Sequence, residues 1–156
     1  MSVGLAVLLL ARIVVGEAGW HATEADVAAH HAVLESRAER MGVRYVTAAG
    51  LYSPRHTGVA TSRRPWVAEL GRSLRRPPLW PDGASWRAHR ARWARILELA
   101  AQAHAGDLVA PCSPDHWGGP VVDRARIERG IARGYWRVVD CGATRNVFLA
   151  LEGARP

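Results

Sequence analysis

Apolar residues run almost without a break from Val3 to Val15, interrupted only by Gly4 and Arg12. A run of that length and continuity predicts a helix buried on most sides. Gly16 and Gly19 bracket the place where it should end. Glu17 falls in the closing turn, where the negative end of the helix dipole and the low local polarity both oppose ionisation. Its carboxyl is therefore expected above the ordinary value, as suits a general acid working near neutral pH. An exposed position at a helix end, paired with an arginine, would explain Glu17 without any chemistry.

The pattern then turns amphipathic. Thr23 can cap a second helix with Glu24 and Asp26 in its first turn, where negative charge is favoured. Val27, His30, His31, Val33, Leu34 and Met41 fall on its buried face, Glu35, Arg37, Glu39 and Arg40 on a solvated one, and Gly42 is its stop. His30 and His31 read as helix residues without catalytic duty, although one of them could approach Glu17; His21, just past the acid, is the better functional candidate. Val43-Arg-Tyr-Val-Thr47 reads as a short extended piece, followed to Arg64 by a loop rich in turn formers. Loops carry binding residues more often than helices do, which makes Tyr52 and His56 candidates for a cleft wall. Pro65 opens a third helix through Trp66, Val67, Leu70 and Leu74. The proline-rich stretch from Arg75 to Gly83 breaks regular structure and holds Trp80 on a stiff arm. From Ser85 to Ala105 a long helix gathers Trp86, Trp93, Ile96, Leu97 and Ala100 on one face and spreads Arg87, Arg90, Arg92 and Arg95 over the others. Gly106 ends it. A loop from Cys112 to Pro120 precedes a short helix capped by Asp123 and running through Ile127 and Ile131 to Gly134. Tyr135–Val139 and Asn146–Leu151 read as two strands, made a hairpin by the Asp140–Thr144 turn.

Composition narrows the class. At 156 residues with 49% hydrophobic and 22% charged residues, the chain is expected to be one domain, residues 1–156, with its own core rather than a disordered segment. A formal net charge of +7 and a pI near 10.9 suggest an anionic partner: cell-wall polymer, nucleic acid or an acidic membrane surface. All 21 basic residues are arginine, a bias that a GC-rich genome explains more simply than selection for anion binding. Seven tryptophans against one phenylalanine leave both sugar stacking and base stacking open, beside the simpler use of indoles as core residues. The N-terminal run has no early positive charge, as a secretory leader would have, and is shorter than the roughly 20 residues of a membrane span. It is read as the first helix of the mature fold, with no transmembrane segment.

Several chemistries compete. Cys112 and Cys141 could join in a disulfide, remain as thiols, or supply zinc ligands together with His116; the last spacing is a poor match to zinc sites. A papain-like peptidase needs a histidine well after its cysteine, and the last histidine, His116, lies only four residues past Cys112. No Gly-x-Ser-x-Gly signature marks a serine hydrolase. A two-carboxylate glycosidase would require a partner about 5 to 9 Å from Glu17; Asp26, Asp115 and Asp123 are the residues available.

A resemblance adds to this. Ala11-Arg-Ile-Val-Val-Gly-Glu-Ala18, Gly19, Thr23-Glu-Ala-Asp26, Val27-Ala-Ala-His-His-Ala-Val-Leu34 and Ser36-Arg37 together resemble the start of the SleB-type cell-wall hydrolases, a lytic-transglycosylase branch of the lysozyme-like superfamily. The resemblance covers residues 8 to 40, with a looser echo in His116-Trp-Gly-Gly and Cys141-Gly-Ala-Thr-Arg-Asn-Val-Phe148. It implies a mainly α (α+β) lysozyme-like helical domain with a small C-terminal hairpin. It also implies cleavage of the muramic acid to glucosamine β-1,4 bond of peptidoglycan, by hydrolysis or by transglycosylation. Glu17 matches the family's acid; His21, Tyr52, His116, Trp117 and Asn146 are the residues expected to hold or orient sugar. No metal or cofactor is implied. The partners would be glycan strands, with virion or tail proteins as candidates for delivery, and the site of action the bacterial wall after holin release or virion delivery. The alternative is a non-enzymatic Arg- and Trp-rich module binding nucleic acid or wall polymer, in which Glu17 would be dispensable; no dedicated nucleic-acid motif is present.

Overall fold

The computed structural model describes residues 4–72, 76, 77, 79, 80 and 82–152. Its axis is the apolar run, which forms helix α1 (Leu5–Ala18). Leu10, Ala11, Ile13 and Val14 are wholly buried; the branched side chains among them each contribute about 1.5–3 kcal/mol of transfer free energy. Arg12, which breaks the run, is buried too. Its Nε donates to the Leu70 carbonyl at 2.8 Å, which gives the guanidinium a partner inside the core.

Around α1 lie α2 (Glu24–Met41), α3 (Tyr45–Tyr52), the single turn α4 (Pro54–Thr57) and the long α5 (Gly83–Ala105). Thr23 caps α2 in a full capping box: its side chain accepts from the Asp26 N–H, and Asp26 accepts from the Thr23 N–H. Gly42, at φ 63°, ends the helix in the left-handed conformation that its lack of Cβ permits. The buried face of α5 carries Trp86, Trp93, Ile96 and Ala100, as its spacing predicts, with Leu99 and Ala103 added and Leu97 half-buried. After α5 come β1 (His116–Gly118), α6 (Arg124–Ala132), β2 (Trp136–Val139) and β3 (Val147–Leu151), and the strands pair antiparallel in the order β1-β3-β2. The fold is thus mainly helical with a small antiparallel sheet.

Several local readings are corrected. The stretch expected to be extended, 43–47, instead enters α3. Its β-branched and aromatic residues suggested a strand, but Ala48 and Ala49 are small enough to lie fully buried where α3 meets α1 and α2. The helix expected from Pro65 is only a 3-10 turn, Pro65–Glu69, closed by Leu70 in an extended conformation; the end of its expected span, residues 73 and 74, lies outside the described residues. The loop from Cys112 contains β1, so the hairpin becomes a three-stranded sheet; three residues whose partner lies some thirty positions away leave no periodic signal. Asp123 stands at the start of α6, but its carboxylate turns back to accept from the Gly119 N–H at 2.7 Å and caps nothing in its own helix. Met41 is 49% exposed rather than buried. Arg37 and Arg40, expected in solvent, reach across to the sheet.

Cys112 and Cys141 are joined in a disulfide. The bridge links the segment before β1 to the turn between β2 and β3, and it removes both sulfurs from the zinc alternative. Asp26 fixes the same turn to α2, accepting from the Arg145 N–H at 2.7 Å while Thr23 Oγ1 donates to the Ala143 carbonyl.

Candidate active site

At the C-terminal end of α1 a cleft of about 390 Å³ opens between that helix and the α3–α4 corner. Glu17 and Gly16 line it from α1; Tyr52, Ser53, Pro54, Arg55 and His56 line it from the α3–α4 corner; Ser62, Arg63 and Arg64 complete the lining at its far end. Glu17 is the only carboxylate among these residues. Its side chain is 30% exposed, and its Oε1 lies 3.3 Å from His56 Nε2. The His56 ring packs closely against α1 at Gly16. A Cβ at position 16 would stand 2.5 Å from the His56 Cγ and Cε1, so only glycine leaves room for the ring there.

The carboxyl is lowered rather than raised, the reverse of what a buried helix end alone predicts. Burial, the largest single influence, does push it up. The hydrogen bond from His56, the charges of His56 and His30, and a weaker hydrogen bond from the Trp117 side chain together bring it below the ordinary carboxylate value. The histidine partners outweigh desolvation and the helix end. As it stands, the site holds Glu17 ready to ionise.

Behind the cleft lies a second layer. His30 is wholly buried against Trp117 (ring centroids 4.6 Å) and Phe148 (5.1 Å). Its Nδ1 lies 2.6 Å from the Asp26 carbonyl, so Nδ1 carries the proton and donates it there. Its Nε2 has no partner among the described residues. Burial, the leading cause, holds the His30 ring below its ordinary pKa. Tyr52 packs edge-on to Trp117 at 4.2 Å and accepts the Trp117 backbone N–H at 3.2 Å. Its hydroxyl also bonds His116 Nδ1, and Arg37 lies 3.7 Å over its ring while reaching His116 Nδ1 at 3.0 Å. Burial first, and the Glu17 charge further down, push the Tyr52 hydroxyl up to about 12; the Trp117 N–H and Arg37 act against them. His116 is brought down to about 4 by burial and then by the Arg37 charge, so it is neutral at ordinary pH.

The sequence-selected residues divide accordingly. Tyr52 lines the cleft with Glu17, and His56, selected as a cleft-wall residue, is the direct partner of the Glu17 carboxylate. Trp117 is buried beneath the cleft rather than lining it, and His116 stands behind Tyr52, stacked on Trp136 at 5.2 Å. Asn146 is buried at the start of the third strand, its Nδ2 without a partner among the described residues, and it does not line the cleft. His21 is exposed and sits by His89, on the side where Trp20 stacks between Trp66 and His89. The histidine that approaches Glu17 from α2 is His30. Arg55, Arg63 and Arg64 were missed, because in a polar loop arginines look like ordinary solvated residues.

None of the aspartates that could have served as a second carboxylate lines the cleft. Asp26 is spent on the capping box and the Arg145 N–H. Asp115 is buried, holding Ser36 Oγ, Arg40 and the Leu151 N–H. Asp123 holds Gly119. Among the described residues, no group of three or more His, Cys, Asp or Glu is placed to hold a metal ion, and no helix is long and apolar enough to cross a membrane. No family model, no curated protein and no solved structure matches this chain.

Proposed function

We propose that the protein cuts the glycan strands of peptidoglycan at the muramic acid to glucosamine β-1,4 bond, in a lysozyme-like domain with Glu17 as its acid. The observation that carries this reading is the Glu17–His56 pair on the wall of an open cleft whose lining, among the described residues, offers no other carboxylate. A two-carboxylate mechanism would want a second acid in the same lining. A transglycosylation does not. Glu17 gives its proton to the glycosidic oxygen as the C1–O bond breaks. The resulting carboxylate then takes the proton of the muramyl C6 hydroxyl, whose oxygen closes on C1 to form a 1,6-anhydro ring. No water is consumed, and Glu17 ends protonated as it began.

The lowered carboxyl gives His56 a task in this scheme. With the proton on His56 the pair is ionic; moved across the 3.3 Å contact, it leaves a neutral pair with an acidic Glu17. A sugar filling the cleft displaces water and disfavours the ionic arrangement, which drives the proton onto Glu17 where it is needed. His56 is a positioning residue in this account, and Tyr52, held by His116, Arg37 and the Trp117 N–H, is a rigid wall for the sugar.

The second reading, a basic module that binds wall polymer or nucleic acid without cutting it, draws on the exposed arginines of α5 and the net charge of +7. The two separate in one assay. Wild type and Glu17→Gln are incubated with purified sacculi, and bound protein and soluble sugar are both followed. A glycan-cutting enzyme binds in both forms and releases sugar only as wild type. Binding with no release by wild type would favour the binding module.

A further inference from the structure

We propose that Arg55, Arg63 and Arg64 form an anion subsite of the cleft, which reads carboxylates borne by the glycan strand alongside the bond to be cut. The inference rests on the glycan-cutting reading for the identity of the strand. The subsite itself rests on the guanidinium groups.

The three arginines supply much of the cleft's far end, and all three are exposed. Several arginines elsewhere on this surface find carboxylates (Arg72 with Glu69, Arg95 with Glu24 and Glu98, Arg124 with Glu128, Arg126 with Asp123, Arg137 with Glu152). Arg87, Arg90 and Arg133 stand on open surface without one among the described residues. Among the described residues no carboxylate pairs with Arg55, Arg63 or Arg64 either; what sets these three apart is that they line one hollow together. The one carboxylate in the lining, Glu17, is held by His56. Three unpaired cations converging on a concave surface repel one another and concentrate positive potential there, an arrangement that an anionic ligand relieves. The hollow also continues beyond them. A second cavity of about 400 Å³ shares Arg55, Ser62 and Arg63 and adds Thr61, so a bound chain can pass the arginines instead of stopping at them. Ser62 Oγ accepts the Arg64 N–H at 3.1 Å, which leaves its hydroxyl proton free to donate to the same ligand.

On a peptidoglycan strand the carboxylates come from two sources: the stem peptides, or the lactyl groups of muramic acid once the stems have been removed. A neutral aminosugar polymer offers neither. The subsite therefore selects a strand that carries acid groups and sets its direction relative to Glu17.

The test uses the full chain as Glu17→Gln, so that binding is read without cutting, in sedimentation with purified sacculi at fixed salt. Three substrates are compared: native sacculi, sacculi whose carboxyls have been amidated with carbodiimide and ethanolamine, and sacculi stripped of stems by an amidase. Arg55→Gln/Arg63→Gln/Arg64→Gln is compared with Arg87→Gln/Arg90→Gln/Arg133→Gln, which removes the same charge from exposed positions away from the cleft. We expect amidation and the cleft triple variant each to weaken binding about tenfold, the control triple variant to weaken it far less, and Arg→Lys at the three cleft positions to restore much of the loss. Stripped sacculi that still bind show that the lactyl carboxylates freed by the amidase also satisfy the subsite; stripped sacculi that bind as weakly as amidated ones assign the contact to the stems alone. Equal binding to native and amidated sacculi would overturn the proposal, as would an equal loss in the cleft and control variants. The amidation arm uses unaltered arginines, so it decides even if the triple variant folds poorly. Absence of sugar release by wild type would sink the glycosidase reading alone, because the binding arms would still report on the subsite.

Discussion

Glu17 and Asp115 are both carboxylates in partly enclosed surroundings, and they could hardly be treated more differently. Asp115 is 2% exposed. Its oxygens take Ser36 Oγ at 2.9 Å, Arg40 at 2.8 Å and the Leu151 N–H at 3.0 Å, which binds α2 to the sheet. Glu17 keeps 30% of its side-chain exposure, faces an open cleft, and has for its direct ion-pair partner a histidine, a group that can itself take or give a proton. A carboxylate saturated by fixed donors serves architecture. One that is half-satisfied by a titratable neighbour, beside room for a ligand, retains the freedom that acid–base chemistry needs.

The comparison can be broken by exchanging the losses. Glu17→Gln is expected to lower the cutting rate by about 10³-fold, the range of a general acid, while costing about 1 kcal/mol of stability or less. Asp115→Asn should do the reverse. It leaves Arg40 without its buried partner and should cost about 3 kcal/mol, read as a fall in melting temperature, with the protein that remains folded still active. Equal effects on rate from the two variants would erase the distinction. Reduction of Cys112–Cys141, which closes a separation of 29 residues, belongs to the architectural side: it should cost about 3 kcal/mol and leave the rate of the folded fraction unchanged, as chemical denaturation with and without reductant would show.

Gly16 sharpens the comparison, because it bears on the proposed chemistry through space alone, by the room it leaves for His56. Gly16→Ala should cost about 2 kcal/mol through overpacking and push His56 off the helix. With its leading acidifying contact gone, the Glu17 carboxyl should move up, which a carbon-detected NMR titration of its Cδ would reveal. The smallest effect lies between the two regions. His116 and His31 are both brought down to about 4, each chiefly by burial. Between there and the ordinary value near 6.5 the unfolded chain binds more protons than the folded one, so stability rises with pH across that window. Their contribution is complete above about pH 6.5 and is lost as pH falls towards 4. Melting curves over that range should show it, and His116→Asn should flatten the dependence. That variant should not abolish cutting, since His116 stands behind Tyr52 and not in the cleft.

Much of this was legible in the sequence where one helix or one cap determined the outcome. The apolar run of α1, the Thr23 cap, the tryptophan face of α5 and the β2–β3 pair each carry a local signal, and Glu17 stood out as a carboxylate closing a buried helix. What local patterns could not give was anything decided by packing between distant segments. Val43–Thr47 has the residue types of a strand, and its later part is drawn into a helix because Ala48 and Ala49 fit against two others. β1 exists only because β3 lies beside it. The direction of the Glu17 shift was misjudged for the same reason: its helix-end position was visible, but His56, thirty-nine positions on, and buried His30 were not known to face it. The spacing in the chain says nothing of the close approach that Gly16 permits.

The central claim is that the carboxyl of Glu17 cuts a glycan strand, and mass spectrometry of the fragments released from purified peptidoglycan by wild type and by Glu17→Gln tests it most directly. The account predicts fragments ending in 1,6-anhydromuramic acid from wild type and none from the variant. Release of the same fragments by Glu17→Gln, or no release by wild type, would contradict it.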